Sequence, residues 1–179
     1  MGTNLLSQSK QFLDEISNNQ ELPSKETVFE QMTKQNSPFS NNSVLIFGIY
    51  HTTELLNDMY ETILSEYGIS LSQAEILKVL YLSPKNQLFQ SDIIKYVLLS
   101  KATLSTHLKK LEQQGLIKRK ENPNNKRQKS VLLTKKGVKK FEEISEPLSD
   151  ISERNFISEE KSQKLVELLK EFKNNIPKK

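Results

Sequence analysis

Residues 100–134 constrain the fold of this chain more than any other stretch. Ser100 stands where a helix N-cap belongs. With Leu104 at zero on a helical projection, Leu108 and Leu111 fall within about 40 degrees of it at about 100 degrees per residue. One apolar stripe therefore runs along a helix that Gly115 ends. The opposite side carries Ala102, Ser105, Thr106, Lys109 and Gln113, with no acidic residue among them. Leu116-Ile117-Lys118-Arg119-Lys120 then suits an edge strand, Asn122-Pro123-Asn124-Asn125 is a turn cluster, and Lys129 to Leu133 returns as a second strand.

Charge separates this region from the rest. Between Gln87 and Lys140 stand 14 Lys or Arg against Asp92, Glu112 and Glu121, a net of +11, while the remainder holds 12 basic and 19 acidic residues. The chain's modest +4 thus conceals a basic module, the electrostatic footprint of a nucleic-acid binder. Small and hydroxylated side chains let a helix approach base edges and thymine methyls, and lysines find phosphate. Only three of the 26 basic residues are Arg, namely Arg119, Arg127 and Arg154. Where Lys is the default, an Arg is expected to serve through its planar, bidentate geometry. Arg119 and Arg127 lie at the base and tip of the expected hairpin.

A length of 179 residues fits one domain, or one domain with appended helices. With no cysteine, disulfides, thiolate-held zinc and thiol redox sensing are excluded. The five glycines, Gly2, Gly48, Gly68, Gly115 and Gly137, make no phosphate-cradling loop. With only His51 and His107 as histidines, no nucleophile–base pair is advertised, so an enzyme is not expected and no cofactor or metal is assigned. No apolar run approaches membrane-spanning length and no signal-peptide core is present, so a soluble, cytoplasmic protein without membrane association is expected.

The rest of the chain reads as helical. Leu5, Leu6, Phe12, Leu13 and Ile16 share one helical face. A second helix follows Pro23, capped by Ser24, with Val28, Phe29 and Met32 on one side. Residues 1–42 are expected to form an N-terminal helical extension that packs on the neighbouring body or a second subunit, the alternative being a partly ordered tail. Asn36 to Ser43 is a loop by composition. A long helix follows from about Val44 to Tyr67, started by Asn42 or Ser43 and stopped by Gly68. Its first half is apolar nearly all round, which calls for cover on more than one side. Ser70 with Gln73, or Ser72 with Glu75, offers a capping box for a helix over Ala74 to Leu82. A short helix is expected over Gln90 to Leu98. Thr134 should cap a helix that Pro147 kinks or divides, and Ser158 should cap a last helix with the stripe Leu165, Leu168, Leu169 and Phe172.

From Ile69 to Lys140 the order of elements and residues resembles the MarR family of bacterial transcriptional regulators. ISLSQAEILKVL resembles the segment before the family's helix-turn-helix, and IIKYVLLSKATLSTHLKKLEQQGLIKR its helix-turn-helix without a gap. NPNNKRQKSVLLTKKG resembles the wing and exit, where D-x-R and Leu-Thr-x-x-Gly appear as Asn125-Lys126-Arg127 and Leu133-Thr134-Lys135-Lys136-Gly137. FISEEKSQKLVELLKEF is similar to the C-terminal helix, and the likeness covers roughly residues 44–176. There are three departures. Asn125 replaces the wing aspartate and cannot form a salt bridge with Arg127. Leu98 occupies a turn position that is often Gly, so the turn must avoid a positive φ there. Residues 1–42 have no counterpart in the common pattern.

The resemblance implies a mainly α fold with a small β-hairpin wing (α+β), a winged helix-turn-helix with N- and C-terminal dimerisation helices. The implied organisation is an extension over 1–42, a dimerisation helix over 43–68, the DNA-binding domain over 69–140 and dimerisation helices over 141–179. The implied partners are double-stranded DNA and a second copy in a homodimer, with a small-molecule effector as a further option. The helix from Ser100 to Gln114 would read a major groove through Ser100, Lys101, Ala102, Thr103, Ser105 and Thr106. Lys109, Lys110, Lys118 and Lys120 would hold phosphates, and Arg127 between Lys126 and Lys129 would probe the adjacent minor groove. An aromatic effector would find Phe47, Tyr50, Tyr60, Tyr67 and Tyr81, although aromatics on such helices read first as core and are not assigned as a site; zinc sensing would rest on His51 and His107. The expected role is a sequence-specific repressor released by a ligand. Its rivals are an architectural DNA binder of the same fold, or an interaction module recruiting a partner through its N-terminal helices.

Overall fold

The computed structural model describes residues 5–17, 22–122 and 125–177; the side chains of residues 5, 6, 8, 9, 122 and 125–128 lie outside that description. The chain divides into two compact units, Met1–Thr62 and Ile63–Lys179. The elements in order are α1 (Leu5–Ile16), α2 (Lys25–Met32), α3 (Asn41–Ser65), α4 (Leu71–Tyr81), β1 (Gln87–Phe89), α5 (Gln90–Ile93), α6 (Lys101–Gln113), β2 (Ile117–Asn122), β3 (Asn125–Leu133), α7 (Lys135–Ser152) and α8 (Glu159–Asn175). The fold is mainly helical with one small antiparallel sheet. Among the described residues no helix is long and apolar enough to cross a membrane.

In the first unit α2 is seated on the first half of α3. Ser24 caps α2 through the Thr27 N–H, as its sequence position predicts. Phe29 stacks on Phe47 with ring centroids 6.1 Å apart. His51 is buried beside them, its Nε2 3.4 Å from Glu26 Oε1. Lys25 and Glu54 form an ion pair across the same seam. Phe12 of α1 meets Phe39 edge-on at 4.9 Å. Helix α3 begins earlier than its apolar run, because Ser40 rather than Asn42 or Ser43 accepts the Ser43 N–H at 3.2 Å.

The second unit holds the main core. Leu64, Ile76, Leu77, Leu80, Ile93, Leu104, Leu108, Leu111, Ile117, Val131 and Ile144 are almost fully excluded from solvent. Full burial of one such side chain contributes about 1.5–3 kcal/mol, so this cluster gives the unit its cohesion. Ser70 and Gln73 form the capping box reciprocally, with Gln73 N–H donating to Ser70 Oγ and Ser70 N–H to Gln73 Oε1. That cap starts α4 at Leu71, three residues before the expected Ala74. Gly68 and Gly115 end α3 and α6 at φ of 67° and 73°, left-handed turns that glycine enters without strain.

Further expectations change, among them the return strand, which begins at Asn125 rather than Lys129. The helix foreseen over Gln90 to Leu98 is helical only to Ile93, after which i→i−3 bonds from Lys95 to Asp92 and Tyr96 to Ile93 tighten the chain into a turn. The hairpin gains a third strand, β1, giving the order β1-β3-β2 with Leu88 opposite Val131. Helix α7 runs through Pro147 undivided. The proline removes one donor to the preceding turn, and Phe141 and Ile144 before it and Leu148 after it hold both halves to one core face. Leu98 has no positive φ, so the turn before α6 forms without the glycine that often stands there.

The exit from the sheet explains Leu-Thr-x-x-Gly. Thr134 accepts the Gly137 N–H at 3.0 Å to cap α7, and its hydroxyl lies 2.8 Å from the Gly115 carbonyl. A Cβ on Gly137 would lie 2.0 Å from the Leu116 carbonyl oxygen. Only glycine permits this contact of α7 with the start of β2. Helix α8 follows Ser158, which stands at the N-cap without a side-chain bond, and α8 buries none of its residues.

Candidate nucleic-acid interface

Helix α6 organises the interface. Ser100 caps it, accepting the Thr103 N–H at 3.1 Å, and Leu104, Leu108 and Leu111 anchor it in the core. Inward anchoring leaves Ser100, Lys101, Ala102, Thr103, Ser105, Thr106, Lys109, Lys110 and Gln113 exposed. Part of this hydroxyl set is already committed: Ser100 and Thr103 hydroxyls share a 2.7 Å bond within the cap, and Thr106 donates to the Ala102 carbonyl at 3.2 Å. The groups left to face outward are the Ala102 methyl, the Ser105 hydroxyl, the Gln113 amide and the ammonium groups.

Lys101, Lys109, Lys110, Lys118, Lys120 and Lys129 form no ion pair among the described residues. Unpaired cations gathered on one module raise a positive potential that attracts a polyanion. Lys129 is exposed on β3. The backbone of Lys126 and Arg127 belongs to β3, but their side chains, and so the expected minor-groove probe, lie outside the described residues. The tip residues Pro123 and Asn124 lie outside them as well.

Arg119 has a partner that the linear sequence did not suggest. Glu112 of α6 accepts its Nε–H at 2.8 Å and its backbone N–H at 3.1 Å, with Nη2 also on the same carboxylate. The guanidinium donating to Glu112 holds that carboxyl below the ordinary range, opposed by desolvation and helped by the backbone bond. Its scarcity among lysines was the available signal; that its carboxylate lay on the helix was not readable locally. Beside it is a groove of about 390 Å³ lined by Gln90, Ser91, Ile94, Lys101, Leu104, Ser105, Arg119 and Lys129. Gln90 and Ser91 were not among the expected site residues.

The aromatic residues expected around an effector belong to both units. Phe47 and Tyr50, with Lys25, His51, Thr53, Glu54 and Asn57, line an opening of about 430 Å³ in the first unit. In the second unit Tyr81 packs on Phe141 at 4.8 Å, and Lys140 lies over the Tyr67 ring at 5.8 Å. His107 on α6 has a buried Nδ1 without a hydrogen-bond partner. Among the described residues no group of three His, Asp or Glu is arranged to hold a metal ion.

Residues 67–128 match the MarR family model. The chain is 32% identical over 111 residues to the uncharacterised HTH-type transcriptional regulator YdgJ of Bacillus subtilis, covering 61% of this chain and 66% of that protein, just under two thirds of its length. It is 31% identical over 104 residues to the uncharacterised HTH-type transcriptional regulator YwoH of Bacillus subtilis, covering 58% of this chain and 74% of YwoH. Among solved structures it is similar to AbfR of Staphylococcus epidermidis, crystallised bound to DNA, with a TM-score of 0.62, 30% identity, and coverage of 75% of this chain and 94% of AbfR.

Proposed function

The chain belongs to the MarR family of transcriptional regulators, and from that premise we propose that it binds a pseudo-palindromic operator as a homodimer and represses transcription until a small molecule releases it. The observation that carries this reading is the exposed, acid-free face of α6 beside unpaired lysines on α6, β2 and β3. Such a face suits a major groove, where side chains meet base edges, while the flanking ammonium groups meet phosphates. Ala102 and Thr106 are the reading set, and Ser100, Lys101, Thr103, Ser105, Lys109 and Lys110 line the approach on the phosphate side. Lys126, Arg127 and Lys129 carry the wing into the neighbouring minor groove.

Two copies are needed because a single helix reads only a few base pairs. Leu45, Ile49, Thr52, Leu56 and Met59 follow one another at spacings of four and three along α3, the repeat of a helix-pairing seam. They lie on the side away from Phe47, His51 and Glu54, which face α2. Leu45 and Leu56 are exposed, as are Leu165, Leu168 and Leu169 of α8. In this reading residues 43–68 and 141–179 form the dimer body, residues 69–140 the winged head, and residues 1–42 an extension carried on α3. The recognition helices then sit about 34 Å apart, one turn of the duplex. The opening beside Phe47 and Tyr50 supports an aromatic effector.

Selection of bound duplexes from a random pool tests this. A consensus of two inverted half-sites is the expected result. Binding that hardly distinguishes sequences and falls steeply with salt would replace the reading with an architectural role. A screen for compounds that release the selected duplex then tests the effector.

A further inference from the structure

We propose that the groove between α5, α6 and the sheet seats one backbone phosphate of the DNA, and that Gln90 and Ser91 are DNA-binding residues. The inference rests on the operator-binding reading and adds a second kind of contact to it. Four elements supply the lining: Gln90, Ser91 and Ile94 come from α5 and the turn after it, Lys101, Leu104 and Ser105 from α6, Arg119 from β2 and Lys129 from β3. Three cations share this space and no carboxylate lines it. Glu112, the carboxylate beside Arg119, is occupied by it, Lys129 also acts on Glu112 electrostatically, and Glu121 stands opposite Lys129 across the sheet. Of the five N–H groups of the Arg119 fork, those not spent on Glu112 make no other bond among the described residues. Lys101 and Lys129, beside an arginine whose charge Glu112 offsets, keep this space electropositive, and a phosphodiester relieves that excess.

Neutral donors complete the seat. Among the described residues Gln90, Ser91 and Ser105 make no side-chain hydrogen bond, although Gln90 is only partly exposed. Amide and hydroxyl donors mixed with cations are what phosphate oxygens accept in protein–DNA contacts. Position on α6 also fits a phosphate rather than a base. Lys101 and Ser105 lie roughly 60 and 100 degrees round the helix from Leu104, whereas Ala102, Lys109 and Gln113 lie roughly 140 to 180 degrees away. The groove thus opens on the flank of the reading helix, beside the helix that crosses the backbone. Ile94 and Leu104 give it an apolar floor suited to the adjoining deoxyribose.

The test uses the full chain and its selected duplex, with single phosphates replaced one at a time by uncharged methylphosphonates. For the wild type, neutralising the seated phosphate weakens binding about tenfold. Gln90→Ala and Ser91→Ala each weaken binding to the unmodified duplex, and the same methylphosphonate costs them clearly less than it costs the wild type. Lys101→Gln behaves likewise and lowers the salt slope by about one. All three variants keep the wild-type urea midpoint. Variants as sensitive as the wild type at every phosphate would overturn the seat while leaving operator binding intact. A chain that binds no duplex would overturn the operator reading, and the seat with it.

Discussion

Glu112 holds Arg119 by both backbone and side chain: its Oε1 accepts the arginine's main-chain N–H at 3.1 Å, and its Oε2 accepts Nε–H at 2.8 Å. The two residues stand on either side of the Gly115 turn, so one carboxylate ties the end of α6 to the first half of β2. The aim of the sheet relative to α6 therefore depends on an ion pair as well as on the apolar core.

That pair makes the head acid-sensitive. Arg119's hydrogen bonds lower the Glu112 pKa in the folded chain, so the stabilisation is complete above the unfolded carboxyl value of about 4.3 and is lost as pH falls through the lower folded value. Both side chains are partly exposed, so the contribution is about 1 kcal/mol or less. Acid unfolding followed by circular dichroism should show Glu112→Gln less stable than wild type near neutrality, with the difference vanishing in strong acid. A difference that persists there would assign the effect to packing.

Gly137→Ala should destabilise the chain by about 3 kcal/mol, because its Cβ would fall 2.0 Å from a backbone oxygen that β2 and Thr134 hold in place. Urea unfolding measures the loss. The same substitution at Gly2, far from this contact in sequence, is a useful control.

Arg127→Ala should cost about 1–3 kcal/mol of operator binding and relax specificity, whereas Lys109→Ala should weaken operator and scrambled duplexes alike. Titration of both variants against both duplexes separates the roles. Equal losses for Arg127→Ala on the two duplexes would remove the minor-groove assignment.

Leu56→Asp should shift the chain from dimer to monomer, since it puts a carboxylate in the middle of the exposed α3 seam. Sedimentation velocity reads the change directly. An unaltered dimer would move the interface away from that seam.

The sequence by itself determined the features whose causes lie within a few residues of their effects. Ser70 with Gln73, Ser100 with Thr103 and Thr134 with Gly137 are caps closed over three positions, and each is visible as a local pattern. The stripe of Leu104, Leu108 and Leu111 orients α6, and the acid-free opposite face follows from periodicity alone. Tertiary structure decided what joins distant stretches. Strand β1 has only three residues, too few to carry a period, and exists because Gln87–Phe89 finds the backbone of 130–132. Helix α5 stops at Ile93 because the chain must turn to bring α6 onto the core, although residues 94–98 contain nothing that forbids a helix. The partner of Arg119 and the meeting of Gln90 and Ser91 with Lys101 and Lys129 belong to the same class. Helical periodicity and capping are written in neighbouring residues, whereas the pairing of a short strand and the walls of a groove depend on which distant surfaces the core brings together.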